Sequence, residues 1–294
     1  MNSINERLSG VFTALVTPFK EEGSLDLDAF DALIDAQLAA GVAGLVPVGT
    51  TGEAPTLNDA ERTQIIQHTV ERAAGKAFVL AGTGANDTTK AIAWTRQAEE
   101  LGADGCLVVA PYYNKPTQQG LLAYFGAIAE CTSLPIVLYS VPGRCGIEIA
   151  ADTAATLHEK YANIVGIKEA GGTVDRVTEL RKYCGKDFLI QSGEDGLTLP
   201  FLAVGAIGVI SVVSNLAPEL MIDLLTAWRE GRTDDARDIH DRVSNLASAI
   251  FIESSPVPVK TALAMDGRMQ STVRSPLVPL SSSGLDYLQS VLAL

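Results

Sequence analysis

Apolar residues follow two alternating patterns along this chain. Short apolar runs, often rich in β-branched residues, predict buried strands, and segments with apolar residues at helical spacing predict amphipathic helices. The predicted strands are Val11–Val16, Gly44–Val48, Phe78–Ala81, Gly105–Ala110, Pro135–Tyr139, Asn163–Lys168, Phe188–Gln191 and Gly208–Val212. Helices are predicted at 25–40, from 58 onward, at 88–101, 118–131, 150–160, 174–183, through 201, and at 219–229, 234–252, 259–265 and 285–292.

Capping residues mark the starts of two predicted helices. Asp26 can cap the first long helix, and Asn58 stands three residues before Glu61, the spacing of a capping box. We therefore expect the starts of both helices to lie close to these capping residues.

Eight predicted strands separated by helical segments indicate an α/β fold, a (β/α)8 barrel. We assign the barrel to residues 1–224 and a C-terminal helical extension to 225–294. A doubly wound open sheet is the alternative, but the first predicted strand is not followed by the Gly-x-Gly-x-x-Gly motif of dinucleotide-binding folds.

Composition excludes several classes of function. The formal net charge of −13 argues against nucleic-acid and anionic-membrane surfaces. Apolar runs are too short to span a bilayer, and the N-terminus does not resemble a signal peptide. The four cysteines are far apart in the sequence, which predicts a protein of the reducing cytoplasm with no metal site. We expect the side chains of Cys106 and Cys131 to lie in the core and that of Cys145 to be more exposed.

Lys168 ends the sixth predicted strand, where Gly171 and Gly172 soon follow. A charged ammonium group loses its hydration inside a protein, so a lysine here needs an explanation. It could extend to solvent or pair with a carboxylate, which is the commoner outcome for a strand-end lysine. Alternatively it could be an amine in a partly dry pocket that attacks a carbonyl and forms a Schiff base.

Polar residues cluster after the other predicted strands, where a (β/α)8 barrel places its active site. They are Thr50, Thr51, Glu53, Tyr112, Tyr113, Tyr139, Arg144, Lys168, Ser192, Glu194, Asp195 and Ser211. Phenols and hydroxyls can transfer protons, a glycine-rich turn can bind a carboxylate, and the Arg144 guanidinium can bind a second one. A keto acid and a carboxylated partner fit this set.

Five segments carry a resemblance to a known family. They are Gly49-Thr50-Thr51-Gly52-Glu53, Pro111-Tyr112-Tyr113-Asn114-Lys115-Pro116, Tyr139-Ser140-Val141-Pro142-Gly143-Arg144, Gly166-Ile167-Lys168-Glu169-Ala170 and Gly208-Val209-Ile210-Ser211. Together they resemble the dihydrodipicolinate synthase / N-acetylneuraminate lyase family of class I aldolases, nearly from end to end. The resemblance implies condensation of pyruvate with L-aspartate 4-semialdehyde in lysine and diaminopimelate biosynthesis, without a metal or organic cofactor.

The resemblance also implies roles for individual residues. Lys168 would form the Schiff base, while Tyr139, Thr50 and Tyr113 would relay protons. Thr51 would hold the pyruvate carboxylate, and Arg144 the carboxylate of the aldehyde. Ile210 and Gly193 would border the pyruvate pocket. Tyr113 would come from a neighbouring subunit, which implies a homotetramer built as a dimer of dimers.

The sequence departs from the family pattern at several positions. Gly143 replaces a hydroxyl residue before Arg144, and Ser254-Ser255-Pro256 stands where Asn-Pro is frequent. Family members inhibited by lysine bind it with a glutamate and histidines. Asn86 and Tyr112 match that pattern, but Lys90, Asp59 and Arg62 replace the acidic and histidine positions. We therefore expect weak inhibition by lysine or none.

Two alternative functions stay open from the sequence. A sialic acid or keto-deoxy sugar acid lyase would share Lys168 and Tyr139, but Thr50 and Arg144 favour the synthase. A non-catalytic barrel that binds small molecules is disfavoured by the joint presence of Lys168, Tyr139, Thr50 and Tyr113.

Overall fold

The computed structural model describes residues 3–292 and forms a closed barrel of eight parallel strands. The strands are β1 (Gly10–Ala14), β2 (Gly44–Val46), β3 (Phe78–Gly82), β4 (Gly105–Val109), β5 (Ile136–Ser140), β6 (Ile164–Glu169), β7 (Leu189–Ser192) and β8 (Gly208–Ser211). Each strand pairs with the next, and β8 pairs with β1, with Gly10 opposite Gly208. This last pairing confirms the predicted barrel and excludes the open sheet.

Helices separate consecutive strands as predicted, and others follow the barrel. They are α1 (Ile4–Arg7), α2 (Leu27–Ala40), α3 (Asp59–Ala73), α4 (Thr88–Glu100), α5 (Gln118–Ala129), α6 (Pro142–Cys145), α7 (Ala151–Lys160), α8 (Asp175–Cys184), α9 (Thr198–Ala203), α10 (Pro218–Arg229), α11 (Thr233–Ile250), α12 (Val257–Met265) and α13 (Ser282–Leu292). The two short helices α1 and α6 fall where no helix was predicted.

Both predicted N-caps are present. Asp26 Oδ1 accepts a hydrogen bond from the Ala29 amide at 3.1 Å, at the start of α2. At the start of α3, Asn58 Oδ1 accepts from the Glu61 amide at 2.9 Å, and Glu61 Oε2 accepts from the Asn58 amide at 3.0 Å. Reciprocal bonds of this kind satisfy amide groups that the first helical turn leaves free.

The barrel interior is filled by side chains rather than open to solvent. Phe12 on β1 is fully buried, and its ring occupies the space beside Gly44 on β2, where an added Cβ would lie 2.1 Å from the ring. The wall at this point therefore requires glycine opposite a phenylalanine.

The C-terminal helices pack against the barrel. Helix α10 spans the boundary proposed between residues 224 and 225, and that division into two domains stays a prediction. Helix α12 carries a fully buried lysine, Lys260, which contacts the loop after β2. Across residues 3–292, no helix is long and apolar enough to cross a membrane.

The prediction of a more exposed Cys145 is wrong. Its side chain is buried, and Sγ donates to the Ala110 carbonyl at 3.2 Å, because the unpredicted helix α6 turns the thiol inward. Burial raises the pKa of this thiol to about 11. Cys106 is fully buried as predicted, whereas Cys131 is only partly buried.

Candidate active site

Lys168 lies at the end of β6 with only 5% of its surface exposed. The β5–β6 register places Tyr139 opposite Lys168, and the Nζ atom lies 4.4 Å from the centroid of the tyrosine ring. No carboxylate in the described part of the chain forms an ion pair with this amine. The amine is thus held inside the barrel against a phenol ring, and it neither extends to solvent nor pairs with a carboxylate in residues 3–292.

Gly193 makes room for the Lys168 side chain. Its amide donates to the Glu169 carbonyl at 2.7 Å, which fixes the turn after β7 beside β6. A Cβ added at this glycine would lie 3.1 Å from Lys168 Cε and 2.6 Å from the Ala170 Cβ. Glycine is therefore required here for the path that the lysine side chain takes.

The segment Gly49–Glu53 forms a tight turn after β2. The Gly52 amide donates to the Gly49 carbonyl and the Glu53 amide to the Thr50 carbonyl, each at 3.1 Å. Thr51 is buried and Thr50 is partly buried, so the two neighbouring hydroxyl residues have different surroundings. Glu53 adopts a left-handed conformation with φ of 54°, which is unusual for a residue with a side chain.

Thr50, Tyr139 and Arg144 line one cavity of about 220 Å³. Its other lining residues are mostly apolar, and they include Tyr112, Trp94 and Val141. The structure therefore brings together three of the predicted site residues: Thr50 from the turn after β2, Tyr139 from the end of β5, and Arg144 from the helix that follows β5. An apolar cavity with a few convergent polar groups is the usual form of a small-molecule site.

Arg144 lies on the short helix α6 at the rim of this cavity. Pro142 occupies the first turn of α6, a position where its missing amide costs no helical hydrogen bond. The Nη2 atom of Arg144 donates to the Ser255 carbonyl at 3.4 Å. The guanidinium is otherwise exposed, so its remaining donors can reach a ligand.

Tyr113 is placed apart from the other predicted residues. Its side chain is 90% exposed, and its φ of 74° is in the left-handed region. A bulky residue held in this conformation is strained and points to a local function. Within one chain, Tyr113 does not line the cavity that contains Tyr139 and Thr50.

Ile210 is fully buried on β8, opposite Phe12 of β1. The next residue, Ser211, donates to Asp195 Oδ1 at 2.5 Å, and the amides of Val212 and Val213 donate to Oδ2 at 2.9 and 3.1 Å. Burial raises the pKa of Asp195, although these hydrogen bonds oppose the rise. Asp195 thus ties the turn that contains Gly193 to the end of β8.

Two carboxyl groups near Lys168 have raised pKa values. Burial raises the pKa of Glu169 to about 7; the Arg176 guanidinium, whose Nη2 lies 3.5 Å from Oε2, opposes this. Burial also raises the pKa of Glu194, while the positive charges of Lys168 and Arg144 lower it. Glu169 lies on the helix side of β6, near Arg176 of α8, and Lys168 lies on the opposite face, as alternation along a strand requires.

Sequence reasoning missed the residues that support the turn after β2. Lys260 Nζ donates to Glu53 Oε1 at 2.6 Å, and the Arg274 amide donates to Glu53 Oε2 at 2.9 Å. Both partners come from the C-terminal extension, more than 200 residues away along the chain. A signal was present, since Lys260 is the one charged residue in the apolar segment 257–265.

The positions expected to form a lysine-binding cleft are occupied by a cation–aromatic stack. The Arg62 guanidinium lies 3.6 Å from the centroid of the Trp94 ring, and Lys90 Nζ lies 4.6 Å from the same centroid. Trp94 Nε1 donates to Asp59 Oδ1 at 2.9 Å, and burial lowers the pKa of Arg62 to about 10. The exposed Lys90 therefore places a cation where the pattern of lysine-inhibited members has a glutamate, whereas the Arg62 guanidinium is buried and donates to the Gly82 carbonyl at 2.8 Å.

Residues 7–293 match the model of the dihydrodipicolinate synthetase family. The chain belongs to this family. It is 47% identical to the 4-hydroxy-tetrahydrodipicolinate synthase of Thermotoga neapolitana over 286 residues, which cover 96% of this chain and 97% of that protein. The same enzyme from Nitratidesulfovibrio vulgaris strain DP4 is 46% identical, over 98% of each chain.

Solved structures of dihydrodipicolinate synthetase family members have the same fold. The 4-hydroxy-tetrahydrodipicolinate synthase of Methylacidiphilum fumariolicum SolV superposes with a TM-score of 0.96 at 48% sequence identity, covering 97% of this chain and 95% of that chain. Family membership makes this chain a class I aldolase of the lyase class, and it confirms the resemblance predicted from the five motifs.

No group of three or more His, Cys, Asp or Glu side chains in residues 3–292 is arranged to hold a metal ion. The chemistry available at the barrel mouth is that of an amine, two phenols, hydroxyls and a guanidinium.

Proposed function

We propose that this chain acts as a 4-hydroxy-tetrahydrodipicolinate synthase, as its relatives are named, and that Lys168 forms a Schiff base with pyruvate. The observation that carries the assignment is the buried Lys168 amine, 4.4 Å from the Tyr139 ring and without an ion-pair partner in residues 3–292. A lysine amine in its neutral form is a nucleophile that can attack the keto group of pyruvate.

The reaction divides into steps that these groups can perform. The Lys168 nitrogen attacks the keto carbon of pyruvate, and the carbinolamine loses water to form an imine. Loss of a methyl proton gives an enamine, whose carbon attacks the aldehyde of L-aspartate 4-semialdehyde. The substrate amine then attacks the imine carbon, which closes the ring and releases Lys168. Each step moves a proton, which a neighbouring phenol or hydroxyl can donate or accept.

Tyr139 and Thr50 are assigned the proton transfers at the imine and at the aldehyde oxygen. Their presence around one cavity supports this assignment. Thr51 and the main chain of the turn after β2 are assigned to the pyruvate carboxylate. Ile210 and Gly193 are assigned to the border of the pocket for the same substrate; the place of Gly193 beside Lys168, where an added Cβ would lie 3.1 Å from Lys168 Cε, supports its assignment.

Arg144 is assigned to the carboxylate of L-aspartate 4-semialdehyde. Its guanidinium lies at the rim of the cavity, and its planar donors match a carboxylate. An arginine at this position favours the synthase over a sialic acid or sugar acid lyase, so we favour L-aspartate 4-semialdehyde as the second substrate.

Tyr113 is assigned to the site of a neighbouring subunit, where it would complete the proton relay with Thr50 and Tyr139. Its 90% exposure and left-handed backbone support this assignment, because an exposed strained aromatic residue fits an interface. A homotetramer built as a dimer of dimers is the proposed assembly, and the cytoplasm is the proposed location.

Trapping with borohydride tests the proposal. The enzyme is incubated with pyruvate, reduced and measured by intact mass and peptide mapping, and we expect one pyruvate adduct on Lys168. Lys168→Ala should abolish the adduct and turnover, while Lys182→Ala, at an exposed lysine, should leave both unchanged. A wild-type enzyme that forms no adduct would indicate a non-catalytic binding barrel, and turnover of sugar acids instead of the aldehyde would indicate the related lyase.

A further inference from the structure

A second lysine, Lys260 on α12, is completely buried. Its Nζ atom donates to Glu53 Oε1 at 2.6 Å and to the Thr17 carbonyl at 2.9 Å, and it lies 4.3 Å from the centroid of the Phe19 ring. Burial lowers the pKa of Lys260, while the Glu53 carboxylate opposes this and favours the charged amine. The lysine is remote from Lys168 in sequence and does not line the cavity described above.

The contacts of Lys260 close a ring around the base of the turn after β2. Thr17 Oγ1 donates to the Gly52 carbonyl at 2.8 Å, and Gly52 is bonded directly to Glu53. The ring thus runs from Gly52 through Glu53 and Lys260 to Thr17 and back to Gly52. Thr17, Gly52, Glu53 and Lys260 are all buried, so water does not compete for these hydrogen bonds.

The second oxygen of Glu53 is also occupied. Oε2 accepts from the Arg274 amide at 2.9 Å, and the Arg274 guanidinium bonds the Gly23 and Thr56 carbonyls and the Glu61 carboxylate. Arg274 lies 4.2 Å from the centroid of Phe19, next to Lys260. Two separate segments of the C-terminal extension therefore hold one side chain of the turn.

The position of Glu53 connects this ring to the active site. Glu53 ends the turn that presents Thr50 and Thr51, and its amide donates to the Thr50 carbonyl. Its φ of 54° is an unfavourable conformation that the surroundings must enforce. A buried ion pair contributes little to stability compared with apolar residues of the same size, so stability alone does not account for it.

We infer that Glu53 and Lys260 are positioning residues that hold the turn Gly49–Glu53, and with it Thr50 and Thr51, against the pyruvate site. This inference rests on the proposed function for its kinetic readout. It assigns the C-terminal extension a part in substrate binding, although no residue of α12 lines the cavity.

The double variant Glu53→Gln/Lys260→Met tests the inference, because it replaces both members of the buried ion pair and leaves neither charge without its partner. Glutamine keeps an acceptor for the Arg274 amide, and methionine matches the length of the lysine stem. We expect a melting temperature near that of the wild type, a KM for pyruvate raised about tenfold, and a slower borohydride trapping rate. The single change Lys260→Met should be much less stable, because it leaves Glu53 buried and unpaired.

Thr17→Val provides a second test that involves no charge. It removes only the bond to the Gly52 carbonyl and keeps the side-chain shape, so KM should change in the same direction by a smaller factor. Leu180→Ala on α8 is the matched control, since Leu180 is fully buried on the helix that follows β6, and β6 is four strands away from β2 in the barrel. It should lower the melting temperature and leave the KM for pyruvate unchanged.

Hydrogen exchange of residues 49–53 provides a readout independent of activity. We expect the amides of Gly52 and Glu53 to exchange faster in the double variant and in Thr17→Val, but not in Leu180→Ala. A folded double variant with wild-type KM and wild-type exchange in this turn would overturn the inference. A wild-type enzyme that fails to trap pyruvate would refute the proposed function instead, and the exchange data would still decide whether the ring holds the turn.

Discussion

Replacing Gly193 by alanine should displace the amine on which the proposed chemistry depends. The new Cβ would lie 2.6 Å from the Ala170 Cβ, 3.0 Å from the Glu169 carbonyl oxygen and 3.1 Å from Lys168 Cε. Ordinary van der Waals contacts begin at 3.4 Å, so neighbouring atoms must move by a few tenths of an ångström up to nearly one. The Glu169 carbonyl and the Ala170 Cβ are fixed to the backbone at the end of β6, so part of the shift falls on the backbone next to Lys168, and the lysine side chain is the flexible neighbour that can also move.

The size of the effect follows from these distances. Overpacking of this kind costs about 1–3 kcal/mol of stability, which lowers the melting temperature by several degrees. The Lys168 Cε atom has to move by only about 0.3 Å to reach an ordinary contact, since the added Cβ would lie 3.1 Å from it. Because a misplacement of 1 Å can cost about a hundredfold in rate, we expect Schiff-base formation to slow by roughly three- to tenfold. The assay is the rate of borohydride-trapped pyruvate adduct, measured by mass, with the melting temperature in parallel.

Gly196 provides the control for this prediction. It lies three residues further along the same loop, and a Cβ added there would meet nothing within 4 Å. Gly196→Ala should therefore trap pyruvate at the wild-type rate. If Gly193→Ala also traps pyruvate at that rate while folded, the contact with Lys168 does not position the amine and the reasoning is refuted.

Three further predictions follow from charge and burial. Glu169 has a pKa of about 7 in the folded state, so it keeps a proton that the unfolded state releases above pH 4.5. The free energy of unfolding therefore falls as pH rises from 5 to 8. Glu169→Gln should remove this loss, which amounts to about 3 kcal/mol in the free energy of unfolding. Urea unfolding at pH 5 and at pH 8 measures it, and the same difference in unfolding free energy between wild type and variant at both pH values would contradict the prediction. Because the exposed Lys90 presents a positive charge at the expected cleft, sub-millimolar lysine should not inhibit turnover, and inhibition in a coupled assay would contradict this prediction. Cys145, buried and with a pKa of about 11, should resist iodoacetamide in the native enzyme near neutral pH, whereas rapid labelling would show that α6 opens.

The elements of the barrel could be predicted because their signals are local. Apolar runs, glycine stops and the caps at Asp26 and Asn58 depend on neighbouring residues only, and the structure has helices where those signals place them. Helix α6 was missed because Pro142-Gly143-Arg144-Cys145 has the composition of a turn. The error for Cys145 has the same origin, since the direction of its side chain depends on that single helical turn.

The residues at the barrel mouth could also be predicted, because topology alone brings the ends of parallel strands to one rim. Strand order alone does not show which of them share a cavity, and it was the family resemblance that implied a separate place for Tyr113. Thr50, Tyr139 and Arg144 come together in one chain, while the exposed Tyr113 lies apart from them, and strand order does not reveal this difference.

The sequence by itself determined the barrel, the family and the set of polar groups at its mouth, because periodicity and motif spacing are properties of adjacent residues. Only the tertiary structure decided that Lys260 and Arg274 hold the turn of Glu53, and that Gly193 shapes the path of Lys168. These contacts join segments as much as 221 residues apart, and burial makes them strong by excluding water. Lys260 is a charged residue of a type that usually lies on the surface, but it supports the active-site turn because α12 packs against the barrel.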